Sequence, residues 1–362
     1  MRLVTIIFHN SRSAYWRTTG PSASPSPPLS SNSSISGDSN DCSESSISEA
    51  CCSAFLEVAK SAWVVRNHTI RPLDKPHHPT VVEITIESAQ YLFDGHHNNL
   101  GAKIRKYRGD IVSKFEREWN VQVVMQQDSV MRRYKRLAIF DMDNTLIQQE
   151  AIDEIARKVG MEAEVSAITE RAMNGELDFA ASLRARCSLL RGVPSTVFEE
   201  LQSTITLSPG AKELVIALKR LGYKTAVLSG GFTPLTSWLA DQLGLNYAYA
   251  NHLVESADRN TLTGELHGEI VNAEKKRDLV IDIAEREGIP LDQVMVVGDG
   301  ANDLLMMGVA GLGVAFNAKQ KVQLEAPAKL NSNSLLDILY LLGLTKEEQE
   351  ELLREPFHST SY

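Results

Sequence analysis

The sequence predicts an α/β protein: a parallel sheet covered by helices on both faces, interrupted after its first strand by a helical insert and preceded by a smaller module of order β-α-β-β-α-β. Three observations carry this. From residue 136 onward, short apolar runs alternate with helical segments, the pattern of strands buried on both faces. Residues 148–205 interrupt that alternation with helical spacing alone. Within residues 1–128, candidate strands flank two helical segments instead of alternating with them singly.

Taken in order, Leu3 to His9 reads as a strand and residues 47–60 as a helix. Between them, residues 20–47 are dominated by Ser, Pro, Gly and Asn and hold too few large apolar side chains to offset the entropy of ordering them, so a disordered insertion is expected there. Ala62 to Ile70 and Val81 to Ser88 are further strands, with Val82, Ile84 and Ile86 alternating. Asn98 to Trp119 reads as a charged amphipathic helix with Ile104, Tyr107, Ile111 and Phe115 on one face, and Val121 to Gln126 closes as a strand. The order is that of a ferredoxin-like module.

The larger unit is expected over residues 136–147 and 206–343, with strands at Leu137–Asp141, Lys224–Ser229, Tyr247–Ala250, Val294–Gly298 and Gly313–Phe316. The insert at 148–205 opens with Ile152, Ile155, Ala156 and Val159 at helical spacing, and Gly160 supplies a stop. Its size suits a helical cap. Asn251 to Val271, with Thr261-Leu262-Thr263-Gly264 between extended segments, reads as a β-hairpin, and residues 344–362 as a tail with a short acidic helix.

Composition removes several classes of function. A net charge of -9 disfavours a nucleic-acid partner, because phosphate-backbone binding needs a basic surface. The main basic cluster, Arg132, Arg133, Lys135 and Arg136, precedes an apolar strand and reads as a solvated flank. The longest apolar run, Leu304 to Phe316, is too short to span a bilayer and is broken by three glycines, so no membrane partner is expected. The four cysteines show neither metal-site spacing nor a disulfide framework, which suits the cytoplasm. Residues 1–37 hold arginines, serines and no acid, the composition of an organellar transit peptide, although residues 3–8 compete with it as a strand. Neither GxxxxGK[ST] nor GxGxxG occurs.

Chemistry concentrates at strand ends. In Leu137-Ala138-Ile139-Phe140-Asp141-Met142-Asp143-Asn144-Thr145, a buried strand delivers two carboxylates, and ligands of open α/β sheets bind beyond such carboxyl ends. Val227-Leu228-Ser229-Gly230-Gly231 ends another strand in a hydroxyl and glycines whose backbone can approach an anion. A third strand ends in Gly298-Asp299-Gly300-Ala301-Asn302-Asp303, with Lys276 on the helix before it.

These elements in this order resemble the haloacid dehalogenase (HAD) superfamily, whose fold is a Rossmann-like parallel sheet with a cap inserted after the first strand. The resemblance implies that Asp141 is a nucleophile attacking phosphorus, that Asp143 is the general acid/base, and that Mg2+ is held by Asp141, the backbone carbonyl of Asp143 and Asp299. It also implies that Ser229, Gly230, Lys276 and Asn302 hold the transferring phosphoryl group. A cation is needed on elementary grounds: a carboxylate facing a phosphate dianion at ~4 Å meets about 8 kcal/mol of repulsion at an effective dielectric near 20.

Within the superfamily, Asp141 to Glu150, Ala172 to Phe179, the Arg186 segment, Ser229 to Phe232 and Gly298 to Asp303 resemble the phosphoserine phosphatase family. That resemblance implies O-phospho-L-serine as substrate and a place at the last step of serine biosynthesis. Glu150 suits the substrate ammonium and Arg186 offers a planar fork to its carboxylate. By the same resemblance Met173 and Phe179 line an apolar wall of the cap pocket. The module at 1–128 is similar to the degenerate ACT-like domain preceding the catalytic domain in some members, with dimerisation as one expected role, which makes a homodimer the candidate protein partner. Phosphothreonine or phosphohomoserine as substrate, and a silent amino-acid sensor, are the competing readings.

Overall fold

A computed structural model describes residues 2–9, 46–61, 63–91, 111–173 and 176–354. Strands β1 (Arg2–His9), β2 (Trp63–Pro72), β3 (Val81–Tyr91) and β4 (Val121–Gln127) form an antiparallel sheet in the order β2-β3-β1-β4. The helix Glu49–Lys60 starts where the Ser48 hydroxyl accepts the Cys51 N–H, filling one of the orphan donors of a first turn. Its Phe55 meets Phe115 of the helix Ser113–Trp119 edge-on, and both helices cover the sheet face formed by Leu3, Ile7, Val82, Ile84 and Ile86. Strand β1 is buried on its other face too, where Val4, Ile6 and Phe8 belong to the core of the larger unit. Most of the insertion expected at 20–47 lies outside the described residues, as do Ile104 and Tyr107 of the long helix expected from Asn98. Ile47, assigned to that insertion, is instead buried against the first helix.

The second sheet has seven strands: β5 (Leu137–Phe140), β6 (Lys224–Phe232), β7 (Tyr247–Glu255), β8 (Leu262–His267), β9 (Val294–Gly298), β10 (Leu312–Phe316) and β11 (Ala328–Leu330). Their order is β11-β10-β9-β5-β6-β7-β8, parallel except for β8, which returns antiparallel to β7. All five expected strands are present. The third runs on to Glu255 because its second half is one arm of the expected hairpin. From β5 the chain moves to β6 on one side and later to β9 on the other, so the end of β5 is a topological switch point.

Four helices, Ala151–Val159, Glu162–Met173, Phe179–Ser188 and Val197–Gln202, fill the insert, which is entered and left through an antiparallel bridge between Ile147 and Leu207. Gly160 ends the first of them in the left-handed conformation, φ 73°, as its sequence position suggested. The basic cluster before β5 departs from expectation. Arg132 and Lys135 are buried, Arg132 against Glu83 at 2.6 Å and Lys135 donating to the Asp292 carbonyl, because this linker is sandwiched between the two sheets' cores. Cys51, Cys52 and Cys187 are free and buried. No helix of the described residues is long and apolar enough to cross a membrane.

Candidate active site

Strand β5 ends by donating the Asp141 N–H to the Val297 carbonyl at 2.9 Å, and the chain then turns away from the sheet. The turn is tight: Asn144 takes φ 52°, a conformation Asn tolerates better than other side chains. It brings Asp141 and Asp143, 5% and 9% exposed, close enough for their charges to interact. The Met142 N–H donates to Asp141 Oδ1 at 2.7 Å, and Lys276 Nζ lies 2.8 Å from the same oxygen. Among the described residues both contacts fall on Oδ1, which leaves Oδ2 without a hydrogen bond or ion pair. Asp143 Oδ1 accepts the Ala151 N–H at 3.0 Å, at the start of the first helix of the insert.

Lys276 is fully buried on the helix Ala273–Arg286, whose first turn is fixed by the Asn272 side chain accepting the Lys275 N–H. Its ammonium also meets Asp303 Oδ1 at 2.7 Å. Burial alone would neutralise this lysine; Asp141 and Asp303 outweigh burial and raise its pKa. Asp303 in turn accepts the Gly300 N–H at 3.0 Å, and a Cβ at Gly298 would overlap its carboxylate. Asn302 folds over Gly300 in the same loop. Ser229 is fully buried at the bend of β6, and its Oγ accepts the Gly231 N–H at 2.8 Å, which leaves the hydroxyl proton to donate. A Cβ on Gly231 would stand 3.3 Å from Asp143 Oδ2, so the two loops are in contact.

Oxygen atoms of Asp141, Asp299 and Asp303 lie within 4.8 Å of one another. With Asp143 beside them and Lys276 as the buried cation between Asp141 and Asp303, the cluster is under-neutralised. Burial first, and neighbouring carboxylates second, lift Asp141 well above the usual carboxylate range and Asp299 to about 7. An all-oxygen, acidic donor set of this kind fits a hard divalent cation. Asp303, which sequence reasoning left unassigned, is in this cluster; for Asp143 the sequence assigned the backbone carbonyl to the metal, and its carboxylate is not one of the three. Burial first, then Glu150, raises Asp143 well above its ordinary value, with the Ala151 N–H and Lys276 opposing.

The helical insert brings further residues to this site. Glu150 precedes its first helix and accepts from Asn144 Nδ2 at 3.1 Å; burial, then Asp153, raises its pKa, and Arg186 acts against that rise. Arg186 has a buried Nε without a partner among the described residues. The Phe179 ring lies over Gly230, 3.2 Å from where a Cβ would be. Met173 ends its helix, and its side chain lies outside the described residues. Thr145, which closes the segment read from the sequence, is buried and donates to Asp299 at 3.3 Å, whereas one residue of the site had no signal in the sequence: Asn251, whose carboxamide donates to the Gly230 carbonyl. An isolated amide of this kind carries no motif and is recognised only when folding brings its partner near.

Residues 135–311 match the family model of haloacid dehalogenase-like hydrolases. A relative named probable phosphoserine phosphatase, from Schizosaccharomyces pombe, is 43% identical over 279 residues, 74% of this chain and 94% of its own length. The chain belongs to the phosphoserine phosphatase family. Another member of the family, a phosphoserine phosphatase from Archaeoglobus fulgidus, is 45% identical over 232 residues, covering 64% of this chain and 67% of that one. Among solved structures, one described as a phospho-aspartyl intermediate analogue of phosphoserine phosphatase is similar with a TM-score of 0.53 and 43% identity, over 57% of this chain and 98% of its own. The family's α/β fold and parallel sheet are those described above.

Proposed function

We propose that the protein hydrolyses O-phospho-L-serine to L-serine and phosphate through an aspartyl-phosphate on Asp141, with Mg2+ as cofactor. The observation that carries this reading is the setting of Asp141: one oxygen is pinned by a backbone N–H and by a fully buried ammonium, and the other is free to attack phosphorus. The similarity to a phospho-aspartyl analogue of a phosphoserine phosphatase supports it.

In this reading Asp141 Oδ2 attacks in line as the ester oxygen leaves. Asp143, whose buried surroundings favour its protonated form, gives its proton to the departing serine alkoxide and later takes one from the water that cleaves the acyl phosphate. Lys276, Ser229, the Gly230 N–H and Asn302 hold the transferring phosphoryl oxygens, where developing charge needs fixed donors. Asp141, Asp299 and the backbone carbonyl of Asp143, together with Asp303, would hold magnesium, which offsets the charge of the phosphoryl group.

Glu150 and Arg186 serve the substrate's ammonium and carboxylate; the unpartnered buried Nε of Arg186 is the feature a carboxylate would satisfy. Phe179 and Met173 form the apolar wall. We assign residues 1–128 to a degenerate ACT-like module, a reading supported by its β2-β3-β1-β4 order, 136–147 with 206–343 to the catalytic core, 148–205 to the cap and 344–362 to the tail. A cytoplasmic location and a homodimer belong to the same proposal.

The test is phosphate release by the purified chain from O-phospho-L-serine, with and without magnesium, beside an Asp141→Asn control. Magnesium-dependent release that exceeds phosphothreonine turnover and disappears in the control is expected. Undiminished release by the control would overturn the covalent assignment.

A further inference from the structure

The loop that cradles the phosphoryl group in this reading is a break in the sheet. Strands β6 and β7 pair in register up to Leu228 opposite Tyr249, and again at Phe232 opposite Asn251. Between these pairs, Ser229, Gly230 and Gly231 on β6 face the single residue Ala250 on β7. A bulge of this size turns Ser229 and the glycines out toward the site, and it removes the ladder partners that their backbone groups would have had.

Asn251 replaces the missing partner with its side chain. It is 2% exposed, its Nδ2 donates to the Gly230 carbonyl at 2.8 Å, and its Oδ1 accepts the Val271 N–H at 2.8 Å. Val271 immediately precedes Asn272, which caps the helix carrying Lys276, and the Lys276 N–H donates to the Asn272 carbonyl at 2.9 Å. One carboxamide therefore ties the bulge to the root of the lysine helix. The Thr233 hydroxyl reinforces the link, donating to the Asn251 carbonyl at 3.0 Å. The pattern needs a donor and an acceptor on one short planar group, which an amide provides and a carboxylate or an aliphatic side chain does not.

We infer that Asn251 is a positioning residue for phosphoryl transfer: it holds the Gly230 peptide so that Ser229 and the Gly230 N–H face the phosphoryl group in register with Lys276. The inference rests on the reading of those three residues as phosphoryl-holding groups. Asn251 touches no reacting atom. Its effect is on the transition state, since misplacing a donor by about 1 Å costs about a hundredfold in rate.

The experiment compares the full-length chain with Asn251→Leu, which has similar volume and no polar group, and Asn251→Asp, which keeps the acceptor. Rates are measured on O-phospho-L-serine and on p-nitrophenyl phosphate from about pH 8 down to about pH 5.5. Asn251→Leu should lose about a hundredfold in kcat on both esters with KM little changed, the mark of an interaction made in the transition state. Relative to the native chain, Asn251→Asp should recover as pH falls, because a protonated carboxyl again offers an O–H to Gly230 and an oxygen to Val271. His252 and His267, paired across β7 and β8 beside Asn251, are common to all three proteins and drop out of the ratio.

Native kcat in Asn251→Leu overturns the inference, as does an Asn251→Asp rate no better than the leucine variant at every pH. If the leucine variant does not fold, the pH series of the aspartate variant decides. Orthovanadate affinity, expected to fall at least about tenfold in Asn251→Leu, tests the same positioning without turnover, and an unchanged affinity counts against it. Should the native chain ignore phosphoserine yet cleave p-nitrophenyl phosphate, the substrate assignment fails while the role of Asn251 is still decided on the second ester.

Discussion

Lys276 is a cation taken wholly out of water and held there by two carboxylates on the loops after β5 and β9. Lys276→Met would leave Asp141 and Asp303 facing each other unpaired, a cost of about 3–5 kcal/mol for a broken buried pair. Chemical denaturation in chelator should show that loss, and steady-state assays a fall in kcat of about a thousandfold or more. Asp299 yields a pH prediction of definite sign. Its folded value is raised from 3.8 to about 7, so between these limits the folded state binds more protons than the unfolded one and stability falls as pH rises. The contribution is at most about 4 kcal/mol. A bound cation relieves the same unfavourable ionisation. The gain in Tm from adding magnesium to chelator-treated protein should therefore be larger at about pH 7.5 than at about pH 5.5; an equal gain at both would show that Asp299 is not the group being neutralised.

At the scale of elements, the helical insert and the hairpin are coupled by close contact. Gly264 turns at φ +78°, and a Cβ there would sit 3.0 Å from the Cys187 carbonyl and 3.2 Å from Ser188 Cα, at the end of the helix Phe179–Ser188 that carries Arg186. Gly264→Ala is both strained and crowded, and it should push that helix off the hairpin. Its expected signature matches that of Arg186→Ala: a loss of about a hundredfold in kcat/KM on phosphoserine and a much smaller one on p-nitrophenyl phosphate, which has no carboxylate to orient. Equal losses on the two esters would remove Arg186 from substrate recognition. What was legible in the sequence follows the same division. β5 with Asp141 and Asp143, and β9 with Asp299 and Asn302, could be read because each apolar run and its acids are contiguous. Asp303 stood in the motif, yet its bond to Lys276 spans 27 residues, and Asn251 acquires a role only from a bulge in another strand. Gly264 looked like a turn residue; its contact with Ser188 is invisible to any local pattern.

For the whole molecule, the amino-terminal sheet and the catalytic unit share one core. Val4, Ile6, Phe8, Leu73, Val81 and Val124 pack in the same cluster as Leu335, Ile338, Leu339 and Leu341. Polar bonds follow the seam: Gln122 Nε2 donates to the Asn331 carbonyl at 3.2 Å and its Oε1 accepts the Asn331 N–H at 2.6 Å, while Lys329 meets Glu116 at 2.7 Å. At its centre Glu83 accepts from Arg132 at 2.6 Å and from Arg71 at 3.0 Å, and both arginines also donate to carbonyls near the end of the catalytic unit, Leu341 and Gly343. The basic run before β5 gave no hint of this, since four cations in sequence look solvated until a carboxylate from a distant strand arrives. Glu83→Ala would leave Arg132, 5% exposed, without its counter-charge at a cost of about 3–5 kcal/mol. Because that charge lies between the two sheets, the loss should lower the stability of both together. Fluorescence of Trp63 in the amino-terminal sheet and of Trp238 in the catalytic unit, each followed in a chain lacking the other tryptophans, should report one coincident transition that shifts as a whole in Glu83→Ala. Two separated transitions in the native chain would mean that the amino-terminal sheet folds independently and that the seam is only an adhesive surface.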